Sequence, residues 1–411
     1  MKLFHLNFLP IAFCFVLLAG CFCQVLRAIM WPKIKKGDFP GQIPFVSAIL
    51  RGGASEVRGT PRAPKRFGKK WIAWHFTQNY CFRLRILKLA SWYEFATGWN
   101  VPLLIGQNNS YRIGDDYWSR SFYCSKKLEA KDTELIEKLM CMLEQSEIPV
   151  LYVIPPSRFG EGDEIWNGVF DFSNYVWDRQ KAVLSAKNHD VFDLRPIANN
   201  KFKKARYAYF MTDHHLTPDA ALGVARAIAK RMNEQYHLGL DEEALLPEKF
   251  SARIYHHAFI GSIGKKAVVP FLKLDDFPLM GTAEKGDFEI YIPKRKIRRR
   301  GGSKALVDMR YIRSNPSYRG NMYASYLFAD QAIVHLRNFK RNDGLSILII
   351  SDSFDNAMAS FMINSLERVT SVDLRHLREK FPEWLKKQDH YDAVVIFWNR
   401  PPPQLAWHLS E

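Results

Sequence analysis

Residues 345–354 read LSILIISDSF, and this short stretch indicates the fold class most directly. LSILII at 345–350 is an uninterrupted apolar run, which is typical of a strand buried on both faces of a parallel sheet. The pattern that follows predicts a helix at about 354–366, a strand at 369–374, a helix at 376–388 and a strand at 391–398. Apolar strands that alternate with helices predict an α/β fold with a doubly wound parallel sheet in a three-layer α/β/α arrangement.

The same alternation occurs upstream. It predicts helices at 132–146 and 173–187, and strands at 149–155 and 190–194. Thr217 and Pro218 suit the N-cap and the first position of a further helix that runs to about Tyr236. Residues 238–340 interrupt the rhythm, so we expect an inserted segment with its own packing and a helix at about 320–338. The main domain is then divided into residues 71–237 and 341–411.

The N-terminal segment, residues 1–24, is largely apolar and has no acidic residue, which predicts an export signal. Leu18-Ala19-Gly20-Cys21 resembles a lipoprotein cleavage site, and an uncleaved membrane anchor is the alternative. Residues 25–70 are rich in Lys, Arg, Gly and Pro and resemble a tether. We therefore expect an exported protein, periplasmic or at the cell surface, anchored by a lipid or by an N-terminal helix.

The composition favours a folded protein with anionic partners. Of 411 residues, 47% are hydrophobic, which excludes a mostly disordered chain, and the net charge is +17. For an exported protein, such a charge favours acidic lipid headgroups or an acidic polysaccharide over nucleic acid. The basic run at 294–302 is typical of a solvated loop. Cys81, Cys124 and Cys141 are widely spaced, which indicates neither a disulfide framework nor a zinc site, and we expect Cys141 in the core.

Two short sequences carry reactive groups where an element leads into a helix. Ser353 follows the strand 345–350, and Asp213 and His215 precede the helix that begins near Thr217. In a D-x-H spacing both side chains can lie on one side of an extended segment, so that Asp213 orients the imidazole of His215. Either sequence alone is more often a helix cap or an incidental pair. Together they favour a serine nucleophile with a histidine base.

These residues resemble the SGNH-like acetyltransferases of the alginate O-acetylation family and related proteins with a D-H-H-W motif. The similarity covers about 130–400, in order. It consists of LYVIPPSR at 151–158, DHHLTP at 213–218, LIISDSF at 348–354, VDLR at 372–375 and YDAVV at 391–395. In that family the Asp and His precede the Ser, as they do here. Ser351 replaces the usual Gly, and Leu216 replaces the usual Trp, which suggests an altered turn and the loss of one wall of the site.

The resemblance implies an SGNH-like fold and a site composed of particular residues. Ser353 would be the nucleophile and an oxyanion-hole donor through its N–H, His215 the base and Asp213 the orienting acid. His214 is a weaker candidate for the base. Arg158 and Arg375 end at the same predicted sheet edge, so with Ser157 they are candidates to bind substrate, and ordinary loop arginines are the alternative; no cofactor or metal is predicted.

The implied function is extracytoplasmic transfer of an acetyl group through an acyl-Ser353 intermediate to a cell-surface or secreted polysaccharide. The implied partners are a polysaccharide acceptor, which an acidic polymer would suit, a membrane-bound O-acyltransferase as acetyl source, and the membrane surface. Two alternatives stay open: an acetylesterase with the same triad, and an inactive polysaccharide-binding scaffold.

Overall fold

A computed structural model describes residues 110–113, 117–120, 126–158, 173–201, 205–267, 273–283, 285–312, 316 and 320–410. The predicted signal or anchor at 1–24 and the tether at 25–70 lie outside these residues. The large sheet and the candidate site lie in one compact unit, which is drawn from residues 112–265 and 272–411. None of the helices in the described ranges has the length and apolar character needed to cross a membrane.

The elements follow one another along the chain as helices and strands. The helices are α1 (Lys126–Glu144), α2 (Ser173–Ala186), α3 (Arg195–Lys201), α4 (Pro218–Tyr236), α5 (Ser262–Ala267), α6 (Asp355–Met362), α7 (Phe381–Leu385) and α8 (Leu405–His408). The strands are β1 (Ser110–Ile113), β2 (Tyr117–Arg120), β3 (Val150–Ile154), β4 (Asp190–Asp193), β5 (Phe250–Phe259), β6 (Asp275–Thr282), β7 (Phe288–Ile292), β8 (Ile297–Gly301), β9 (Ile333–Asn338), β10 (Ser346–Ser351), β11 (Arg368–Asp373) and β12 (Ala393–Phe397).

Eight of these strands form one sheet in the order β4-β3-β12-β10-β11-β9-β7-β8. The first five are mutually parallel, and β9, β7 and β8 continue the sheet in antiparallel pairings. The predicted α/β class is therefore confirmed, with an antiparallel extension that the sequence did not indicate. The strands β5 and β6 form a separate antiparallel hairpin, and β1 pairs with β2.

The core lies on both faces of the parallel part because its strands are apolar at consecutive positions. Ile347 and Ile349 of β10 pack into one cluster with residues of α4 and α6. Leu348 and Ile350 point to the other face and pack into a second cluster with residues of α1 and α7. Helices therefore cover this part of the sheet on both sides, which gives the three layers that the sequence predicts.

The segment 238–340 departs from its predicted description. Three of its strands, β7, β8 and β9, join the main sheet, so it does not pack separately as a whole. The predicted helix at 320–338 is wrong: a 3-10 turn spans Met322–Ser325 and a strand spans Ile333–Asn338. Between them Leu327, Phe328 and Ala329 have φ angles of 48°, 63° and 67°, and three left-handed residues in succession break a right-handed helix.

Some smaller predictions also need correction. The basic run at 294–302 is a 3-10 turn followed by the edge strand β8, not a loop. The helix predicted from 132 begins at Lys126, and the one predicted at 376–388 spans only Phe381–Leu385. Cys141 is exposed rather than buried and is a free thiol.

Candidate active site

The parallel strands β3, β10, β11 and β12 all end at one edge of the sheet, and the candidate nucleophile follows β10 there. Strand β10 ends at Ser351, and α6 begins at Asp355, so Ser353 lies in the short turn between them. Ser351 adopts no left-handed φ, so this turn does not require glycine at that position. Its hydroxyl donates to the carbonyl of Phe397 on β12. The departure from the family glycine therefore leaves a strand end that is tied to its neighbour.

The Asp-His element lies in the loop that leads into α4. An isolated bridge between Tyr209 and Leu216 closes this loop. Thr217 then caps the helix, because its hydroxyl accepts the N–H of Ala220 at 3.3 Å, and Pro218 occupies the first turn as predicted. Leu216 is completely buried in the core cluster, so the residue at the family Trp position does not line the site.

Asp213, His215 and Ser353 form a continuous hydrogen-bonded chain across the edge. The Nε2 atom of His215 lies 2.8 Å from the Oγ atom of Ser353, although 138 positions separate the two residues. The Nδ1 atom of His215 bonds to Oδ1 of Asp213, which also accepts the backbone N–H of His215 at 3.1 Å. Only 2% of Asp213, 5% of His215 and 8% of Ser353 is exposed to solvent. With Nδ1–H directed at the carboxylate, Nε2 presents its lone pair to the serine hydroxyl.

The charge state of Asp213 suits this arrangement. Burial alone raises the pKa of its carboxyl, but the electrostatic attraction that the adjacent His215 and His214 imidazoles exert when protonated, with the hydrogen bonds from His215 and the Ser262 amide, outweighs burial. The pKa of Asp213 therefore lies well below its ordinary value. A carboxylate that stays ionised can stabilise the imidazolium that forms when His215 takes a proton.

A second carboxyl group adjoins the nucleophile. Burial raises the pKa of Asp352 to about 6, although Arg375 and the hydrogen bond from the Phe354 amide oppose this rise. Its Oδ1 atom accepts the N–H of Phe354 at 2.9 Å, which fixes the turn around Ser353. Asp352 thus helps to fix the position of Ser353, a role that its place in the sequence between Ser351 and Ser353 did not indicate.

The loop of Asp213 is held by residues that the sequence did not single out. Asp275, at the start of β6, accepts the N–H groups of Met211 and Thr212 at 2.6 and 2.8 Å and the Thr212 hydroxyl at 2.5 Å. The Thr212 hydroxyl oxygen in turn accepts the Gly261 N–H at 2.8 Å. The amide of Ser262 donates to Oδ2 of Asp213. The β5–β6 hairpin therefore positions Asp213, the acid of the hydrogen-bonded chain that ends at Ser353.

Gly261 is required at this contact by close approach. A Cβ atom at this position would lie 2.2 Å from Cβ and 2.5 Å from Cα of Asp213. Only glycine allows the hairpin backbone to come close enough for the Ser262 amide to reach the carboxylate. A glycine-serine pair after a strand was the only sequence signal, and such pairs are common in turns.

Aromatic rings enclose the imidazole. The ring of Tyr323 stacks on His215 with centroids 3.9 Å apart and planes 12° apart. His214 lies on the same imidazole at 3.8 Å, and its Nδ1 atom is 2.7 Å from the Ser262 hydroxyl. Tyr323 is completely buried and comes from the segment that was predicted as a helix, so its contact with His215 could not be foreseen.

The predicted substrate-binding residues lie at the same edge and contact other parts of the protein. Arg158 is buried and donates through Nη2 to the carbonyls of Phe210 and Asp213, so it supports the Asp-His loop. Ser157 is buried beside it. Arg375 pairs with Asp373 at 2.7 Å and with Asp330 at 3.4 Å. Binding of substrate by these residues stays a prediction.

Metal-binding atoms are also close together here. Asp213, His214 and His215 each offer a ligand atom within 4.8 Å of the others. In this structure, however, the Nδ1 atom of His215 bonds to Asp213 and its Nε2 atom bonds to Ser353. The observed contacts form a hydrogen-bonded chain in which His215 already uses both ring nitrogens.

Comparisons with known proteins confirm the resemblance that the motifs indicated. Residues 113–254, about a third of the chain, match the family described as the SGNH hydrolase-like domain of acetyltransferase AlgX. The structure of Bacillus cereus PatB1 with a sulfonyl adduct is 12% identical, with a TM-score of 0.56, and the match covers 71% of this chain and 98% of that one. This likeness supports the fold.

Two further solved structures are similar at lower TM-scores. A DHHW family protein from Eubacterium siraeum is 16% identical over 75% of this chain and 94% of that one, with a TM-score of 0.49. The O-acetyltransferase domain of Pseudomonas putida AlgJ is 16% identical over 73% of this chain and 98% of that one, with a TM-score of 0.40. A search of curated proteins found no match.

Proposed function

We propose that this chain, with its AlgX-type SGNH hydrolase-like region at 113–254, is an O-acetyltransferase that carries the acetyl group on Ser353. The observation that supports this most is the hydrogen-bonded chain from Asp213 through His215 to Ser353, with 2.8 Å between Nε2 and Oγ. A serine hydroxyl is a weak nucleophile until a base removes its proton, and His215 lies where that base must be.

The reaction would proceed in two matched halves. Oγ of Ser353 attacks the acetyl carbonyl of the donor while Nε2 of His215 takes the hydroxyl proton. The backbone N–H of Ser353 stabilises the oxyanion, and collapse expels the donor oxygen, which receives the proton from His215. An acceptor hydroxyl then gives its proton to His215 and attacks the acetyl-serine. Collapse of that second intermediate returns the proton to Ser353 and releases the acetylated acceptor.

The acceptor in this proposal is a polysaccharide, and the acetyl source is a membrane-bound O-acyltransferase. The apolar residues 1–24 support an exported, membrane-anchored enzyme that would operate beside such a donor. The net charge of +17 favours an acidic polymer over a neutral one.

The same triad would serve an esterase if water resolved the acetyl-serine. Transfer requires that an acceptor hydroxyl reach the acetyl-serine in preference to water, so acetyl release measured with and without an acceptor separates the two activities. The third alternative, an inactive scaffold, predicted a wide separation between Ser353 and His215, which the 2.8 Å distance does not support.

The test is covalent labelling of Ser353. The purified protein is incubated with an activated acetyl ester, and intact-protein mass spectrometry should detect one added acetyl group, which peptide mapping should assign to Ser353. Ser353→Ala should abolish the adduct, whereas Ser351→Gly, two residues away, should retain it. An adduct that persists in Ser353→Ala would refute the assignment. The rate of acetyl release should increase when a polysaccharide acceptor is added. An equal rate with and without the acceptor would indicate an esterase.

A further inference from the structure

The antiparallel extension of the sheet has one apolar face and one charged face. On β7, Phe288, Ile290 and Ile292 are buried in the core, so Glu289 and Tyr291 point to the opposite side. The pattern on β9 is the same, with Val334 and Leu336 in the core. On β11 only the first residue, Arg368, is exposed, and it faces away from the core position of Val369. The residues between these core positions therefore share one outer face of the sheet.

Arginines occupy that outer face in register. In the strand register, Arg300 of β8 lies opposite Glu289 of β7, and Glu289 lies opposite Arg337 of β9. Arg337 in turn lies opposite Arg368 of β11. Arg298 lies in the next outward-facing row, opposite Tyr291. We call Arg298, Arg300, Arg337 and Arg368 the arginine face. Their side chains are between 45% and 63% exposed.

Aromatic rings hold three of these arginines in extended positions. Arg298 lies over the ring of Tyr291 at 4.5 Å. Arg300 and Arg337 lie over the ring of Phe339 at 3.7 and 4.6 Å. A guanidinium stacked on a ring loses little further freedom when its outer edge binds an anion, so these side chains are partly preorganised.

The positive charge exceeds the local acidic partners. Arg298 pairs with Glu289 at 3.5 Å, Arg300 pairs with Asp287 at 2.7 Å, and Arg337 and Arg368 share Glu367 at 3.0 and 3.2 Å. The strands β7, β8, β9 and β11 and the turn at 293–296 nevertheless contain eight cationic residues and two acidic ones. The cations are Lys294, Arg295, Lys296, Arg298, Arg299, Arg300, Arg337 and Arg368, and the acids are Glu289 and Asp373.

Protection of a sheet edge does not account for this charge. Charged side chains on an edge strand prevent pairing with another chain, and that purpose fits β8. Arg337 and Arg368, however, lie on β9 and β11, which are inner strands with neighbours on both sides. A charge that continues from the edge across inner strands points to an anion that lies across the sheet.

We propose that the arginine face binds an acidic polysaccharide whose carboxylate groups pair with the four guanidinium groups. This inference rests on the proposed function, in which an acidic polymer is the acceptor, and adds a binding surface for that polymer separate from Ser353. Arg is suited to carboxylates because its planar fork can donate two parallel hydrogen bonds. A membrane surface fits less well, because none of the large exposed apolar residues in the described chain lies on these strands to enter a bilayer.

Binding of a uronate polymer to the full chain tests the proposal. Calorimetry or biolayer interferometry with polygalacturonate should give saturable binding that weakens as salt rises, and neutral dextran of equal length should not bind. The triple variant Arg298→Gln, Arg300→Gln, Arg337→Gln should bind about tenfold more weakly or worse. The matched control removes the same charge elsewhere through Lys138→Gln, Lys230→Gln and Lys387→Gln, at exposed positions, and should bind as wild type.

Additional variants and ligands distinguish effects on folding, on the class of polymer that binds and on catalysis. If loss of Arg337 disturbs the buried Glu367, the double variant Arg298→Gln, Arg300→Gln at the edge should still lower the affinity. Equal loss in the lysine control, binding to dextran, or binding to anionic phosphatidylglycerol vesicles in place of the polymer would overturn the proposal. Ser353→Ala should lose the acetyl adduct and keep polymer binding, so that a failed adduct refutes the proposed function and a failed polymer titration refutes only the arginine face.

Discussion

The parallel and antiparallel parts of the eight-stranded sheet use their two faces differently. In the parallel part every residue of β10 is buried, because helices pack on both sides. In the antiparallel part β7 and β9 bury alternate residues, and β8 buries none completely. The difference shows how one sheet can serve two purposes. Helices cover both faces of the parallel part, so its candidate site lies at the edge where the loops converge. The antiparallel part has one open face, which forms a broad charged surface.

A segment outside the eight-stranded sheet supports the candidate site of the parallel part. The β5–β6 hairpin lies between α4 and β7 along the chain, yet its Asp275, Gly261 and Ser262 hold the loop of Asp213 at the edge of the parallel part. Residues that sequence order groups with the antiparallel strands thus complete the candidate site.

The largest expected effect tests the contrast between two covered faces and one. Leu348→Ala and Ile349→Ala, on opposite faces of β10, should each lower the free energy of unfolding by about 2–5 kcal/mol, since each leaves a cavity. On β7, Ile290→Ala should cost a similar amount, whereas Tyr291→Ala should cost about 1 kcal/mol or less. Urea unfolding measures all four. An equal cost at Tyr291 and Ile290 would mean that the outer face of β7 is covered.

The next effect tests whether Asp275 acts on the edge of the parallel part. Burial raises the pKa of Asp275 to about 6, despite the hydrogen bonds from Thr212 and Met211. Because the folded protein then holds the proton more tightly than the unfolded chain does, this group stabilises the fold fully below about pH 4. That contribution, up to about 3 kcal/mol, is lost as the pH rises through 6.

Asp275→Asn should remove this part of the pH dependence. Between about pH 4 and 6 the free energy of unfolding should fall less steeply in Asp275→Asn than in the wild type, and Ser353 should acetylate more slowly because the Asp213 loop loses one acceptor. Denaturant unfolding across this pH range provides the measurement. Asp352, whose pKa is also raised to about 6, should account for a remaining slope. An unchanged slope in the variant would show that Asp275 does not titrate there.

The smallest effect concerns the contact of Gly261 with Asp213. Gly261→Ala should cost about 1–3 kcal/mol of unfolding free energy, because the new Cβ would lie 2.2 Å from Cβ of Asp213, and should slow labelling of Ser353. Gly302→Ala, after β8, is the matched control, since its nearest neighbour would be 3.9 Å away. Thermal unfolding and labelling rates compare the two. Normal labelling in Gly261→Ala would argue that the hairpin does not position the acid.

Much of the parallel part could be predicted because its signals are local. Uninterrupted apolar runs identified β10 and β12, and Thr217 with Pro218 located the start of α4. The D-x-H spacing and the serine after a buried strand were sufficient to identify the three residues that the structure brings together at the edge. Their acyl-transfer role stays a proposal.

The antiparallel part was predicted less well because its signals depend on distant partners. Tyr323, Tyr326 and Leu327 recur at helical spacing, but they pack against His215, Phe277 and other core groups from a turn. The arginines of β8 have the composition of a solvated loop, and only their pairing with β7 makes them a strand. Likewise, Leu216 in place of Trp predicts the loss of one wall of the site, whereas the structure buries Leu216 in the core.

Sequence alone determined the order of strands and helices in the parallel part and the identity of the Asp-His and Ser elements, because periodicity, capping and short motifs depend on neighbouring residues. Tertiary structure decided that Asp275, Gly261 and Tyr323 support those elements, and that four arginines from three strands share one face. These relations depend on the pairing and packing of residues far apart in the chain, which no local pattern encodes.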